Sequence, residues 1–313
     1  MSIEIQNKVG FAIGTGRCGT KFMCRVLGLE PHVSSVHERN PLNEAFHRYC
    51  KWYGLPVDSA GFLNTKLLEV QQDLADHQFS FEASGYLSLS VKELYERFGA
   101  KFILLVRSPE RVVNSYLRKG WYQAPIERKD PNLAPTFQVN CAYFHYFLGR
   151  IIPSGDRFLE WQAMSRVGKL AWYWNALNSE VIKQFQDIPA SHYRIEKVEQ
   201  MTHNRYLEIA DFLGFQPQLP RAYYDELVRR PPNAKQQVPT TSAWTATEIE
   251  EFETSVRPMA DYLKYEYRVD QLQQHKSQAN ESSKLGWLER QYLKLKLKNA
   301  AKKDGKLPKS RIQ

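Results

Sequence analysis

The residues best suited to chemistry lie in one short stretch, Gly14 to Lys21 (GTGRCGTK), behind the apolar run VGFAI at 9–13 and ahead of an amphipathic segment ending near Leu29. Glycines at 14, 16 and 19 let the backbone take the left-handed conformations of a tight turn. Successive N–H groups can then face one point at the start of a helix, with the positive end of its dipole behind them, and such a point holds phosphate. Gly14, four residues and Gly19 approach the ATP/GTP pattern, but Thr20-Lys21 stands where Lys followed by Ser or Thr is required. The chemistry expected is anion binding by a loop whose lysine is displaced.

A second anion-handling segment follows the apolar run KFILLV at 101–106: Arg107-Ser108-Pro109, then Asn114-Ser115-Tyr116. Ligands of open parallel sheets bind at the carboxyl ends of strands, which is where Arg107 falls. A helix beginning near Pro109 carries Ser115 two turns on. A guanidinium and a hydroxyl in those positions suit a second, separate phosphate.

These segments resemble the sulfotransferases that use 3′-phosphoadenosine 5′-phosphosulfate (PAPS), nearer to the tyrosylprotein and carbohydrate type than to the cytosolic small-molecule type. Gly16-Arg17-Cys18-Gly19-Thr20 is similar to the family's 5′-phosphosulfate loop, and Val106-Arg107-Ser108-Pro109 with Ser115 to its 3′-phosphate motif. Tyr193-Arg194-Ile195-Glu196-Lys197-Val198, followed by Phe212-Leu213-Gly214, resembles a later family segment, although Ile195 replaces a tyrosine. Trp244-Thr245 with Glu248 resembles a late helix start. The four lie in the family's order between residues 8 and 268.

The resemblance implies PAPS as co-substrate, no metal, and roles for particular residues. Arg17 would meet the charge that grows on the bridging oxygen. Gly16, Cys18, Gly19, Thr20 and Lys21 would hold the 5′-phosphate, and Arg107 with Ser115 the 3′-phosphate. Lys235 is a candidate for a further 3′-phosphate contact. A general base must take the acceptor's proton. Members of the resembled type place a Glu about twenty-one residues beyond the loop cation, which gives Glu38. His37 is adjacent and, by strand alternation, is expected on the opposite face. Glu44 is a further candidate if its helix turns inward, and Glu82 and Ser84 are secondary ones. The third strand has no histidine, unlike the cytosolic enzymes.

The elements that must position these groups alternate. Apolar spacing predicts a helix over Phe22–Leu27, a strand at His32–Val36, and a helix from the Asn40-Pro41 cap to about Tyr53. It continues with a helix over Leu63–His77, strands at Phe79–Ala83 and Lys101–Val106, and a helix over Val91–Phe98 closed by Gly99. A helix near Ser165–Phe185, a strand at His192–Ile195, and helices over Tyr206–Leu213 and the TATEIEEFETSV stretch complete it. Alternating strands and helices predict a three-layer α/β fold, P-loop-like, with a central parallel β-sheet flanked by helices. Residues 1–270 are read as the sulfotransferase domain, with an irregular, aromatic-rich insert at 120–165. Trp121, Tyr122, Tyr143, Phe144 and His145 there suit either an acceptor-binding lid or packing. Trp172, Tyr173 and Trp174 are read as core.

Composition narrows the function classes. The 313 residues carry a formal charge of +9, but residues 284–313 hold ten Lys/Arg against two Asp/Glu, leaving +1 for everything before them. Basicity is therefore no sign of a nucleic-acid-binding body. Leu288, Tyr292 and Leu295 recur at helical spacing among the lysines, so the 271–313 tail suits a peripheral membrane or protein contact. Four cysteines without ligand or framework spacing, no bilayer-length apolar run and no leader pattern lead to the expectation of a cytoplasmic enzyme. The expected activity is sulfuryl transfer to a hydroxyl or amine of a carbohydrate, lipid-linked or peptide acceptor. The alternative is a nucleoside or sugar kinase of related fold, against which stands Arg107 where a magnesium-holding Asp would follow the strand.

Overall fold

The computed structural model describes residues 5–122, 148–229 and 244–267. The chain divides into two compact units, Met1–Val238 with Thr245–Tyr267, and Pro239–Trp244 with Arg268–Gln313. Of the second, only Trp244 is among the described residues. Lys235, Tyr143, Phe144, His145, Cys141 and the basic tail lie outside them.

The larger unit is built on a parallel sheet: β1 (Val9–Ile13), β2 (Val33–His37), β3 (Phe79–Ala83), β4 (Lys101–Val106) and β5 (Tyr193–Lys197), in the order β2-β3-β1-β4-β5. All residues of β1 and β3 are buried, as expected of strands covered on both faces. Helices α1 (Thr20–Leu27), α2 (Pro41–Trp52), α3 (Ser59–Asp76), α4 (Val91–Phe98) and α5 (Pro109–Arg118) lie between the first strands and after β4. Then come α6 (Arg157–Ala163), α7 (Arg166–Phe185), α8 (His203–Leu213), α9 (Arg221–Arg229) and α10 (Ala246–Tyr262). This is the α/β architecture the alternation predicts.

On one sheet face Ala12, Phe79, Phe81, Ala83, Ile103 and Leu105 pack with Met23, Val26 and Leu27 of α1 and with Ile209, Ala210 and Leu213 of α8. Alternation turns Phe11, Glu82 and Phe102 to the other face, where the Phe11 and Phe102 rings stack at 5.8 Å. Strand order fixes where a ligand can sit. The chain leaves β1 toward β2 and leaves β4 toward β5, so the two connections diverge. The gap between the carboxyl ends of β1 and β4 is thus the topological switch point of the sheet.

The boundaries differ from the sequence reading in several places: β5 runs Tyr193–Lys197 rather than His192–Ile195, α8 starts at His203 rather than Tyr206, α10 continues to Tyr262, and α9 is a helix the spacing does not predict. Strand β2 runs one residue later, Val33–His37, because pairing with β3 continues to His37 opposite Ala83. Helix α3 starts at Ser59 rather than Leu63, because Asp58 caps it by accepting from the Gly61 amide at 2.8 Å. The end of the irregular insert contains α6, which buries Phe158 and Trp161.

Candidate functional site

The loop after β1 is held from behind. Both Tyr116 (2.6 Å) and Tyr173 (3.0 Å) donate their hydroxyls to the Thr15 carbonyl, and Ser88 donates to that of Gly14 at 2.8 Å. The turn has φ of 155° at Gly14, 77° at Gly16, 57° at Arg17 and 96° at Gly19. A Cβ at Gly14 would stand 2.5 Å from the Leu105 carbonyl oxygen, and one at Gly16 2.4 Å from the Tyr116 hydroxyl. The glycines are needed because the loop lies against β4 and α5. Helix α1 then opens at Gly19 with no side-chain cap and no acidic residue in its first turn. An uncapped helix start with its dipole uncompensated is suited to an anion.

Three cations surround that helix start. Arg17 donates its Nε to the Ser115 hydroxyl at 2.8 Å, Arg107 donates to the Arg17 carbonyl at 3.1 Å, and Lys21 is exposed on the first turn of α1. The ion pairs among the described residues use other cations. A fourth, Arg48 of α2, is 1% exposed and donates to the carbonyls of Gly85 (3.0 Å) and Gly149 (2.9 Å). The sequence reading assigns Arg107 and Ser115 to a second phosphate of the ligand held by the first loop. In the structure the two segments touch, Ser115 accepting from Arg17 and Arg107 donating to the Arg17 carbonyl. Cys18 is inert: burial pushes its thiol up to about 11, leaving only its backbone for binding.

Glu38 follows β2 with φ 49°, a left-handed conformation that costs a residue with a side chain about 1–2 kcal/mol. Because β2 ends at His37, strand alternation does not separate the two residues, contrary to expectation. His37 lies 3.2 Å from the Thr20 hydroxyl through Nε2, and its Nδ1 is 3.9 Å from the Glu38 carboxylate. Burial, reinforced by Lys21 and Arg17 against the pull of Glu44, lowers the His37 pKa and so favours the neutral ring. Burial, then the charge of Glu44, pushes Glu38 up to about 7, against the opposing pull of Arg48, Arg17 and Lys21. A half-buried carboxyl poised near neutrality beside an anion site is matched to proton transfer.

No protein-family model matches the chain, and no curated protein sequence matches it. Among solved structures, it is similar to the sulfotransferase domain of the Synechococcus PCC 7002 olefin synthase, with 13% identity, TM-score 0.44, and coverage of 86% of this chain and 98% of that one. The sulfotransferase domain from the curacin biosynthetic pathway gives 12% identity and TM-score 0.47, over 85% of this chain and 100% of that one. A sulfotransferase from Mycobacterium avium gives 11% identity and TM-score 0.46, over 84% and 78%.

The remaining candidates are placed behind Glu38. Helix α2 does turn Glu44 inward, but its carboxylate is 1% exposed and bound to Lys66 (2.7 Å) and the Ser84 hydroxyl (2.6 Å). Glu82 is 4% exposed and accepts from Lys66 at 2.8 Å and from the Arg39 amide at 3.0 Å. Ser84 is committed to Glu44 and caps the short turn Gly85–Leu89. None of the three is a free base. Trp121 and Tyr122 are packed against Tyr173 and Trp161, so the described part of the insert uses its aromatics as core. Glu248 serves with Thr245 as a capping box of α10, and Glu196 is bridged by Arg194 and Arg205.

Sequence reading names Tyr116 in the second segment and Tyr173 as core without their shared bond to the Thr15 carbonyl, and it gives no place to Arg48 and Lys66. Only Lys66 left a signal: with Val70 and Asp73 it marks the buried face of α3, at the i, i+4, i+7 spacing of a helix.

Proposed function

We propose that the protein is a PAPS-dependent sulfotransferase. One observation carries the reading. Arg17, Lys21 and Arg107, in none of the ion pairs seen among the described residues, gather around an uncapped helix N-terminus at the switch point of a parallel sheet, with Glu38 at its edge. A ligand with two phosphate-like groups supplies the missing counter-charge, and the sequence motifs name PAPS. The α1 amides, Thr20 and Lys21 bind the 5′ end, while Arg107 and Ser115 serve the 3′-phosphate.

In this reading the acceptor oxygen or nitrogen attacks sulfur and forms the new bond. The bond from sulfur to the bridging oxygen breaks, and its electron pair leaves with 3′-phosphoadenosine 5′-phosphate (PAP). Glu38 takes the acceptor's proton. Arg17 opposes the charge that grows on the leaving oxygen. The acceptor belongs to the class of hydroxyl or amine compounds, carbohydrate, lipid-linked or peptide.

Thermal unfolding with nucleotides tests this. PAP without magnesium, at a hundred times its Kd, adds about 2.7 kcal/mol to stability, and ATP with magnesium adds little. A larger shift with ATP-magnesium turns the reading to a kinase. No shift with either turns it to a non-catalytic protein.

A further inference from the structure

The two residues after Glu38 rest on a buried group of charges. Lys66 of α3, 2% exposed, places its ammonium 2.7 Å from Glu44 of α2, 2.8 Å from Glu82 of β3 and 2.9 Å from Glu69 one helical turn on. A buried cation among three carboxylates is a costly arrangement, and apolar residues would fill the space more cheaply. What the carboxylates hold explains it. Glu82 accepts the Arg39 amide at 3.0 Å, and Glu44 accepts the Asn40 amide at 3.1 Å. These are the two residues after Glu38, whose own amide donates to the Ala83 carbonyl at 3.2 Å. The Arg39 side chain reaches Asp73 at 2.6 Å, where Ser34 and Ser80 also donate. Every peptide N–H leaving the left-handed turn is thus fixed to β3 or to the Lys66 cluster.

We propose that Lys66 is a positioning residue for Glu38, acting through Glu44 and Glu82, whose carboxylates hold the amides of Asn40 and Arg39. The proposal rests on Glu38 being the base of the sulfotransferase reading. Lys66 itself touches no ligand group. Without it, the charge carried by Glu44 loses its buried counter-ion, Glu44 takes up a proton, and the turn it helps to hold loosens.

The same cluster sets the charge that Glu38 feels. The groups facing it are Glu44 and Arg48 from α2, Arg17 and Lys21 from the loop and α1, and His37 from β2. Burial opposes ionisation of Glu44, but the Lys66 charge with the hydrogen bonds it receives holds its carboxyl below the usual range. Glu82 goes the other way, raised by burial and then by Glu44. The negative charge therefore stays on Glu44, the carboxylate that bears on Glu38.

Two variants of the full chain test this. Glu44→Gln keeps the shape: its amide oxygen accepts from Asn40 and Lys66, and its amide nitrogen donates to Ser84. Lys66→Met removes the cation. The readouts are a ¹³C NMR titration of the Glu38 carboxyl, assigned by its loss in Glu38→Gln, amide hydrogen exchange at Arg39 and Asn40, and PAP affinity. Lys66→Met is expected to speed exchange at least about tenfold, lower the Glu38 midpoint toward the ordinary glutamate value, and leave PAP affinity within about twofold. Glu44→Gln is expected to keep the exchange protection and lower the midpoint. A folded Lys66→Met chain with exchange and midpoint unchanged overturns the proposal. So does a Glu44→Gln chain with an unmoved midpoint, which decides the matter if Lys66→Met does not fold. Absence of PAP binding in the unaltered chain refutes the sulfotransferase reading and leaves the exchange result standing.

Discussion

Glu38 joins two properties that a base requires: access to an anion site and a carboxyl poised near neutrality. Its pKa, raised from 4.5 to about 7 by burial and then by Glu44, gives a signed pH dependence. Below the ordinary value the group is protonated in folded and unfolded chains alike. Between there and about 7 the folded chain binds more protons, so stability falls as pH rises through that window and levels off above it. The loss amounts to at most about 3.5 kcal/mol, at about 1.4 per pKa unit, and the exposure of the side chain reduces it. Glu38→Gln is therefore expected to melt higher than the unaltered chain near pH 8 and at the same temperature near pH 4. It should bind PAP within about twofold yet lose about 10²–10⁴ in turnover, with the unaltered enzyme's activity rising through about pH 7. Arg107→Ala should weaken PAP about 10- to 100-fold, the range of a charge-assisted hydrogen bond, measured by calorimetry. Glu38 was proposed from the sequence through the spacing that the family resemblance implies. Its left-handed backbone and its raised pKa were not legible there, because they come from β3 and α2 partners distant in sequence.

At the scale of elements, the glycine loop is shaped by its neighbours. Tyr116 of α5 and Tyr173 of α7 both bind the Thr15 carbonyl, so Tyr116→Phe should cost about 1 kcal/mol and only a few-fold in PAP affinity, since Tyr173 remains. Gly16→Ala places a methyl on the Tyr116 hydroxyl at φ 77° and should reduce PAP binding at least about tenfold with a lower melting temperature. Retained affinity in Gly16→Ala would mean that the loop has room to spare. Most element types were legible because apolar periodicity reports burial directly. The start of α3 was not, because an Asp58 cap and a buried face carrying Lys66 and Asp73 leave no apolar stripe there. A one-residue shift in β2 likewise changed the meaning of its end: His37 is the last strand residue, and Glu38 escapes the alternation.

For the whole molecule, strand order is what brings the two loops together. The Arg17 and Arg107 segments lie ninety residues apart in sequence and meet, through the Arg17 carbonyl, at the gap between β1 and β4. No helix among the described residues is long and apolar enough to cross a membrane. We expect a chain ending at residue 270, whose formal charge drops from +9 to +1, to keep its PAP-induced thermal shift and to lose retention on anionic vesicles. Loss of the shift would bring the tail into the nucleotide site. The sequence by itself determined the alternation of elements, the glycine turn and the two cationic segments, because these depend on local backbone preference and short-range spacing. Only the tertiary structure decided that Ser115 partners Arg17, that Glu44 and Glu82 are bound to Lys66, and that they accept the amides of the two residues after Glu38. Those outcomes rest on which buried charges meet across β2, β3, α2 and α3, and the cost of leaving a buried charge unpaired fixes them only once the sheet has brought the elements together.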